Sequence, residues 1–241
     1  MNPFVFEPLK SVDSPLIVAL DYDNEQAAMS IVSQLDPALC KLKIGKELFT
    51  ACGPNLVEKI VNLGYKVFLD LKFHDIPNTV YKACKAASDL GIWMINVHTA
   101  GGPKMLEMSR KAIDESSHKP LLIGVTVLTS IDQQELNSIG IKENLENFTT
   151  QLAQLGYKHK LDGVVCSGHE SIKIKQVTSE DFLTICPGIR LTREITDDQT
   201  RIMTPIEALK NKVDYLVIGR PITQSSSPIK TMSHILSELK I

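Results

Sequence analysis

The sequence predicts an α/β protein folded as a single (β/α)8 barrel, the TIM-barrel architecture, over residues 1–241. Three observations carry this reading. Short runs rich in Val, Ile, Leu and Phe alternate with amphipathic helical stretches along the chain. Eight such runs occur, and strands separated by helical crossovers pair in parallel. The length of 241 residues suits eight βα units, since closed barrels of this kind run to ~250 residues.

The expected strands are Leu16–Leu20, Lys41–Ile44, Lys66–Leu71, Ile92–Val97, Leu121–Val127, Gly163–Cys166, Leu183–Cys186 and Tyr215–Ile218. Each is short and nearly continuous in aliphatics, as strands covered on both faces must be. Between them, Glu25–Leu35 gathers Ala28, Ile31, Val32 and Leu35 on one face. Asn55–Leu63 does the same with Leu56, Val57, Ile60 and Leu63, and Gly64 follows as a C-cap. Pro77 opens a helix that runs to about Leu90, before Gly91. Pro228 opens the last helix, with Ile229, Met232, Ile235, Leu236 and Leu239 as its apolar stripe. An open, doubly wound sheet of six or seven strands is the alternative. The first strand is not followed by GxGxxG, which argues against the dinucleotide-binding form of that fold.

Composition narrows the function classes. The 26 basic and 28 acidic side chains give a formal net charge of −2, without the basic surplus of a nucleic-acid protein. Hydrophobic residues at 43% supply a core, which excludes a disordered chain. The longest apolar run, Leu121 to Leu128, is far short of the ~20 residues that span a bilayer. The first residues, MNPFVFEPLKSVDSP, lack the basic and apolar regions of a secretory signal. Five cysteines, with no CxxC pair and no Cys/His cluster of zinc spacing, predict reduced and mostly buried thiols in a cytoplasmic protein.

In such a barrel, chemistry gathers at the C-terminal ends of the strands. Asp21, Lys43, Asp70, Lys72, His74, Asp75, His98, Thr126, Thr129 and Ser130 all fall at or just past those ends. Alternation sharpens the pattern. Ile17, Ala19 and Asp21 share one strand face, as do Phe68, Asp70 and Lys72, while Val67, Leu69 and Leu71 take the other. Asp70 and Lys72 then point together into the barrel mouth. Buried charges need partners, so one reading is a set of salt bridges that only closes the barrel. Five such residues together favour a charged reaction site. His74 and His98 are weaker candidates, and their roles stay open.

The C-terminal quarter predicts a phosphate site. Gly188 and Gly219 allow backbone N–H groups to approach an anion. Arg190 and Arg220 add charged donors in the loops after strands seven and eight, the usual phosphate position in these barrels. A glycine turn beside a surface arginine is the plainer alternative. The polar stretch Leu191–Thr204 predicts a lid, with Gln199 placed to bridge a base edge and a phosphate.

These residues carry a family resemblance. LDLKFHDIPNT, from Leu69 to Thr79, resembles the signature of the orotidine 5′-monophosphate decarboxylases. The likeness continues in order through IVALD, LKIGKELF around Lys43, NVHTAGG at Asn96–Gly102, GVTVLTS at Gly124–Ser130, DGVVCS at Asp162–Ser167, PGIR, DDQTR at Asp197–Arg201 and IGRPIT at Ile218–Thr223. DxKxxD alone is shared with sugar-phosphate decarboxylases of related barrels, whereas the full ordered set is specific to the family's bacterial branch.

The resemblance implies a homodimeric barrel that converts orotidine 5′-monophosphate to uridine 5′-monophosphate and carbon dioxide, with neither metal nor organic cofactor. It implies Lys72 as proton donor within an array of Lys43, Asp70, Lys72 and Asp75. Asp75 and Thr79 would come from the partner subunit. Asp21 and Lys43 would hold the ribose hydroxyls. Ser130 and Gln199 would meet the pyrimidine edge with Thr129 nearby, and Arg190, Gln199, Gly219 and Arg220 would surround the phosphate. Three other readings remain at this point: a magnesium-dependent sugar-phosphate decarboxylase, a Schiff-base aldolase using Lys72, and a non-catalytic nucleotide-binding barrel.

Overall fold

The computed structural model describes residues 14–191 and 201–239. Eight strands form a closed, all-parallel barrel in sequence order: β1 (Leu16–Leu20), β2 (Lys41–Gly45), β3 (Val67–Phe73), β4 (Met94–His98), β5 (Leu121–Val125), β6 (Gly163–Val165), β7 (Leu183–Cys186) and β8 (Tyr215–Ile218). Ile17 pairs with Val217, so β8 closes onto β1 and the open-sheet alternative is excluded. The helices are α1 (Glu25–Val32), α2 (Lys46–Cys52), α3 (Pro54–Asn62), α4 (Pro77–Ser88), α5 (Pro103–Asp114), α6 (Gln133–Ser138), α7 (Leu145–Lys158), α8 (Ser171–Val177), α9 (Pro205–Lys210), α10 (Arg220–Thr223) and α11 (Pro228–Glu238).

Local chemistry explains the helix boundaries. Asn24 caps α1 by accepting from Ala27 N at 2.8 Å, and α1 ends three residues earlier than the periodicity predicts. Leu35 still packs into the core from the turn that follows. Prolines open α3, α4, α5, α9 and α11, where the missing N–H costs no hydrogen bond. Asp132 and Thr204 build capping boxes at α6 and α9 with Glu135 and Glu207.

Strand alternation divides the core in two. Ile17, Ala19, Phe68, Met94, Ile123, Ile185 and Val217 point inward and fill the barrel. Leu16, Val18, Leu20, Leu42, Ile44, Val67, Leu69 and Ile95 point outward and pack under the helices. Each such side chain, fully buried, contributes about 1.5–3 kcal/mol of transfer free energy. The N-terminal end of the barrel is sealed. Lys41 is buried there, its ammonium 5.2 Å from the Trp93 ring centre and 5.1 Å from that of Tyr215, and it donates to the Ser14 carbonyl. That leaves the C-terminal end as the one where polar groups can meet a ligand. No helix among the described residues is long and apolar enough to cross a membrane.

Candidate active site

A cavity of about 270 Å³ opens at the C-terminal ends of the strands. Its floor is Ala19, Phe68, Val165, Ile185 and Val217, the upper edge of the barrel core. Of the residues singled out from the sequence, Asp21, Lys43, Asp70, Lys72, Thr129, Gly188, Arg190, Gly219 and Arg220 all line it.

The charged residues form a chain across one side. Lys43 Nζ lies 3.3 Å from Asp21 Oδ1 and 3.4 Å from Asp70 Oδ2. Lys72 Nζ lies 2.6 Å from Asp70 Oδ1. Asp70 is buried, and burial alone would push its carboxyl up. Lys43, Lys72 and the hydrogen bonds from Lys72 and Asn96 outweigh it and hold the carboxyl below its ordinary value. Asp70 is therefore a firm carboxylate at neutral pH and keeps the Lys72 ammonium partnered.

Sequence reasoning assigned no role to Asn96, which is fully buried on β4. Its Nδ2 donates to Asp70 Oδ1 at 2.7 Å, and its Oδ1 accepts the Lys72 backbone N–H at 2.7 Å. The available signal was an amide at the centre of the otherwise apolar run MINV. Lys72 itself sits at φ +53°, in the left-handed region that a lysine rarely adopts. Such backbone costs of order 1–3 kcal/mol and recurs at functional sites.

The opposite side of the cavity is suited to an anion. Gly188 has φ +80°, a conformation open to glycine at no steric cost. At Gly219 a Cβ would lie 3.2 Å from Asp21 Oδ2, a tight approach that glycine avoids. Arg190 and Arg220 reach the cavity from the same two strand ends. The expected lid lies largely outside the described residues, as does Gln199. Its C-terminal flank is anchored: Met203 is buried and bridges Ile189, and Thr204 is the N-cap of α9. Arg201 pairs with Glu170 and donates to the Leu128 carbonyl at 3.2 Å, bracing the segment that carries Thr129.

Three expected residues lie away from the cavity of their own chain. Ser130 is exposed beside Thr129. Asp75 and Thr79 are exposed at the turn into α4, where Asp75 Oδ1 accepts the Ile76 N–H at 2.6 Å. The His74 and His98 rings lie tilted by 37° with centres 5.3 Å apart. Burial, then His74, Lys46 and Lys72, push the His98 imidazole down to about 4, so it is neutral at pH 7.

Residues 14–235 match the family described as orotidine 5′-phosphate decarboxylase / HUMPS. The chain belongs to that family. An orotidine 5′-phosphate decarboxylase of Saccharophagus degradans is 52% identical over 227 residues, covering 94% of this chain and 95% of that protein. One from Legionella pneumophila (strain Lens) is 53% identical over 225 residues, covering 93% and 98%. The crystal structure of orotidine 5′-phosphate decarboxylase from Lactobacillus acidophilus superposes with a TM-score of 0.85 at 36% identity, covering 95% of this chain and all of that one. Within the orotidine 5′-phosphate decarboxylase / HUMPS family, this chain thus carries an ordered Asp–Lys–Asp–Lys chain facing an Arg- and Gly-lined pocket.

Proposed function

We propose that this barrel decarboxylates orotidine 5′-monophosphate to uridine 5′-monophosphate and carbon dioxide, the last step of de novo UMP synthesis, with Lys72 as the proton donor. The observation that carries the reading is the Lys72 ammonium held 2.6 Å from a depressed-pKa carboxylate inside the cavity. When the ring–carboxylate bond breaks, carbon dioxide leaves and the electron pair stays on the ring carbon. A fixed ammonium stabilises that developing charge and then transfers its proton to the carbon. The amine left on Lys72 regains its proton from water. Asp70 holds the Lys72 ammonium in place by the 2.6 Å ion pair until that moment, and any repulsion between Asp70 and the substrate carboxylate is secondary. The proposed reaction needs neither a metal nor an organic cofactor.

Asp21 and Lys43 hold the ribose hydroxyls, and Thr129, Ser130 and Gln199 meet the pyrimidine edge. Arg190, Gln199, Gly219 and Arg220 take the phosphate, whose binding energy orders the site far from the reacting bond. The functional unit is a homodimer in which Asp75 and Thr79 enter the neighbouring site. Their exposure supports this, as does Ile76 between them, a large apolar side chain 68% exposed at the tip of the turn. Five free cysteines support a reducing, cytoplasmic setting. The related magnesium-dependent sugar-phosphate chemistry is disfavoured by relatives at 52% and 53% identity named as orotidine 5′-phosphate decarboxylases.

Subunit mixing tests both Lys72 and the shared site. Lys72→Ala and Asp75→Ala proteins are each expected to be inactive. After exchange, a heterodimer regains one intact site, so up to about a quarter of wild-type turnover per subunit returns in an equal mixture, as expected for contributions in trans. No recovery after verified exchange contradicts the shared site, and turnover by Lys72→Ala alone removes Lys72 from its role.

A further inference from the structure

We infer that Asn96 is a positioning residue for the reaction, setting the place of the Lys72 ammonium through the backbone of Lys72 and the carboxylate of Asp70. The inference rests on the reading of Lys72 as proton donor. The β3–β4 ladder supplies the first observation. Leu69 pairs with Ile95 and Phe73 with Val97, so β3 spends two more residues than β4 over the same stretch. The excess interrupts the ladder opposite Asn96 and deprives Lys72 N–H of a backbone partner there. Asn96 Oδ1 replaces that partner at 2.7 Å, opposite the residue held at φ +53°. Its Nδ2 donates at 2.7 Å to the same Asp70 oxygen that accepts from Lys72 Nζ, leaving the other oxygen to Lys43.

The site requires one acceptor and one donor on a short planar group. Asn supplies both, ionised Asp lacks the donor, and Leu lacks both. The amide cannot be reversed, because its NH2 would then face the Lys72 N–H. Asn96 is fully buried, so water does not substitute readily for either bond.

Asn96→Asp gives a test with a direction that a structural role does not produce. The introduced carboxylate would face that of Asp70 across a hydrogen-bond distance, and two such groups share a proton with a strongly raised apparent pKa. Once protonated, the introduced carboxyl restores the donor and keeps the acceptor. The other charged groups facing this point are Lys72 on β3, Lys43 on β2, Asp21 beyond β1 and Lys46, with His98 further along β4 and His74 beyond β3. All are common to the wild type, so the ratio of variant to wild-type kcat isolates position 96. His98, held near 4, stays neutral across the range used.

The expected result is a kcat for Asn96→Asp lowered about 10- to 100-fold at pH 8, with the ratio to wild type rising as pH falls toward 5.5. Asn96→Leu is expected to lose kcat at every pH while its affinity for uridine 5′-monophosphate stays within about threefold, as for a group acting on the reacting end. Thermal unfolding establishes that each variant is folded, and Asn96→Ser replaces any that is not, with the same loss of kcat over affinity expected. Wild-type kcat in the Leu or Ser variant, or a pH-independent ratio for the Asp variant, overturns the inference. Lys72→Ala, run beside them, separates the two levels. If it is inactive while the Asn96 variants behave as wild type, only the role of Asn96 fails. If it turns over, the proton-donor reading fails and this inference with it.

Discussion

Asp70 serves three partners at once. One oxygen accepts from Lys72 at 2.6 Å and Asn96 at 2.7 Å, and the other faces Lys43 at 3.4 Å. The depressed carboxyl pKa follows from this crowding of donors against the opposing push of burial. The same carboxylate therefore stays ionised beside the ammonium of the proposed proton donor, 2.6 Å away. At the far side, Arg220→Ala removes the charged donor proposed for the phosphate. Its affinity for uridine 5′-monophosphate is expected to fall about 30- to 1,000-fold, measured by titration calorimetry. Unchanged affinity contradicts the phosphate assignment. At this scale the sequence was readable where several charged residues gather at the C-terminal strand ends, because so many charges in one mouth need partners or a ligand. Asn96 escaped notice because its one sequence signal, an amide within the apolar run MINV, is weak, and its two bonds appear only in the structure.

Among the elements, β3 carries the most information. Read as a regular strand, its alternation puts Phe68, Asp70 and Lys72 on one face, and the cavity does hold all three. The strand is nonetheless irregular between Leu69 and Phe73. The excess over β4 is two residues, an even number, and an even insertion preserves the inside–outside parity. That is why alternation predicted the right face without revealing the bulge. The ends of β1, β7 and β8 match their apolar runs, whereas β4 starts two residues after Ile92 and β5 stops at Val125. Trp93 and Thr126 still donate to neighbouring strands, so these boundaries are soft. A different device ties the opposite strand ends. Asp214, just before β8, accepts from Thr184 N at 2.7 Å and pairs with buried Lys175 at 2.9 Å. Asp162, just before β6, does the same for Leu122 N and Arg110. Asp214→Ala strands the Lys175 charge and is expected to cost about 3–5 kcal/mol in urea unfolding, with kcat per folded molecule unchanged. A loss below about 1 kcal/mol contradicts this structural role.

Over the whole molecule, identical residue types do opposite work at the two ends of one barrel. Lys41 and Lys43 are two residues apart on β2 and share its inner face. Lys41 is locked between Trp93 and Tyr215 at the closed end, and Lys43 joins the charged array at the open end. The barrel's direction decides between them, since only the C-terminal end carries the loops that meet a ligand. Closure and order were legible because eight apolar runs leave few alternatives, while the proposed contributions of Asp75 and Thr79 from a second subunit leave no mark in that apolar pattern and come only from the family resemblance. We propose that this chain performs the decarboxylation with its own side chains. The most direct test is loss of orotidine 5′-monophosphate ultraviolet absorbance by purified protein stripped of metal and held in EDTA. We expect full turnover, equal to that without chelator, with uridine 5′-monophosphate as product. Turnover abolished by EDTA and restored by magnesium, or none from folded protein that binds uridine 5′-monophosphate, contradicts the account.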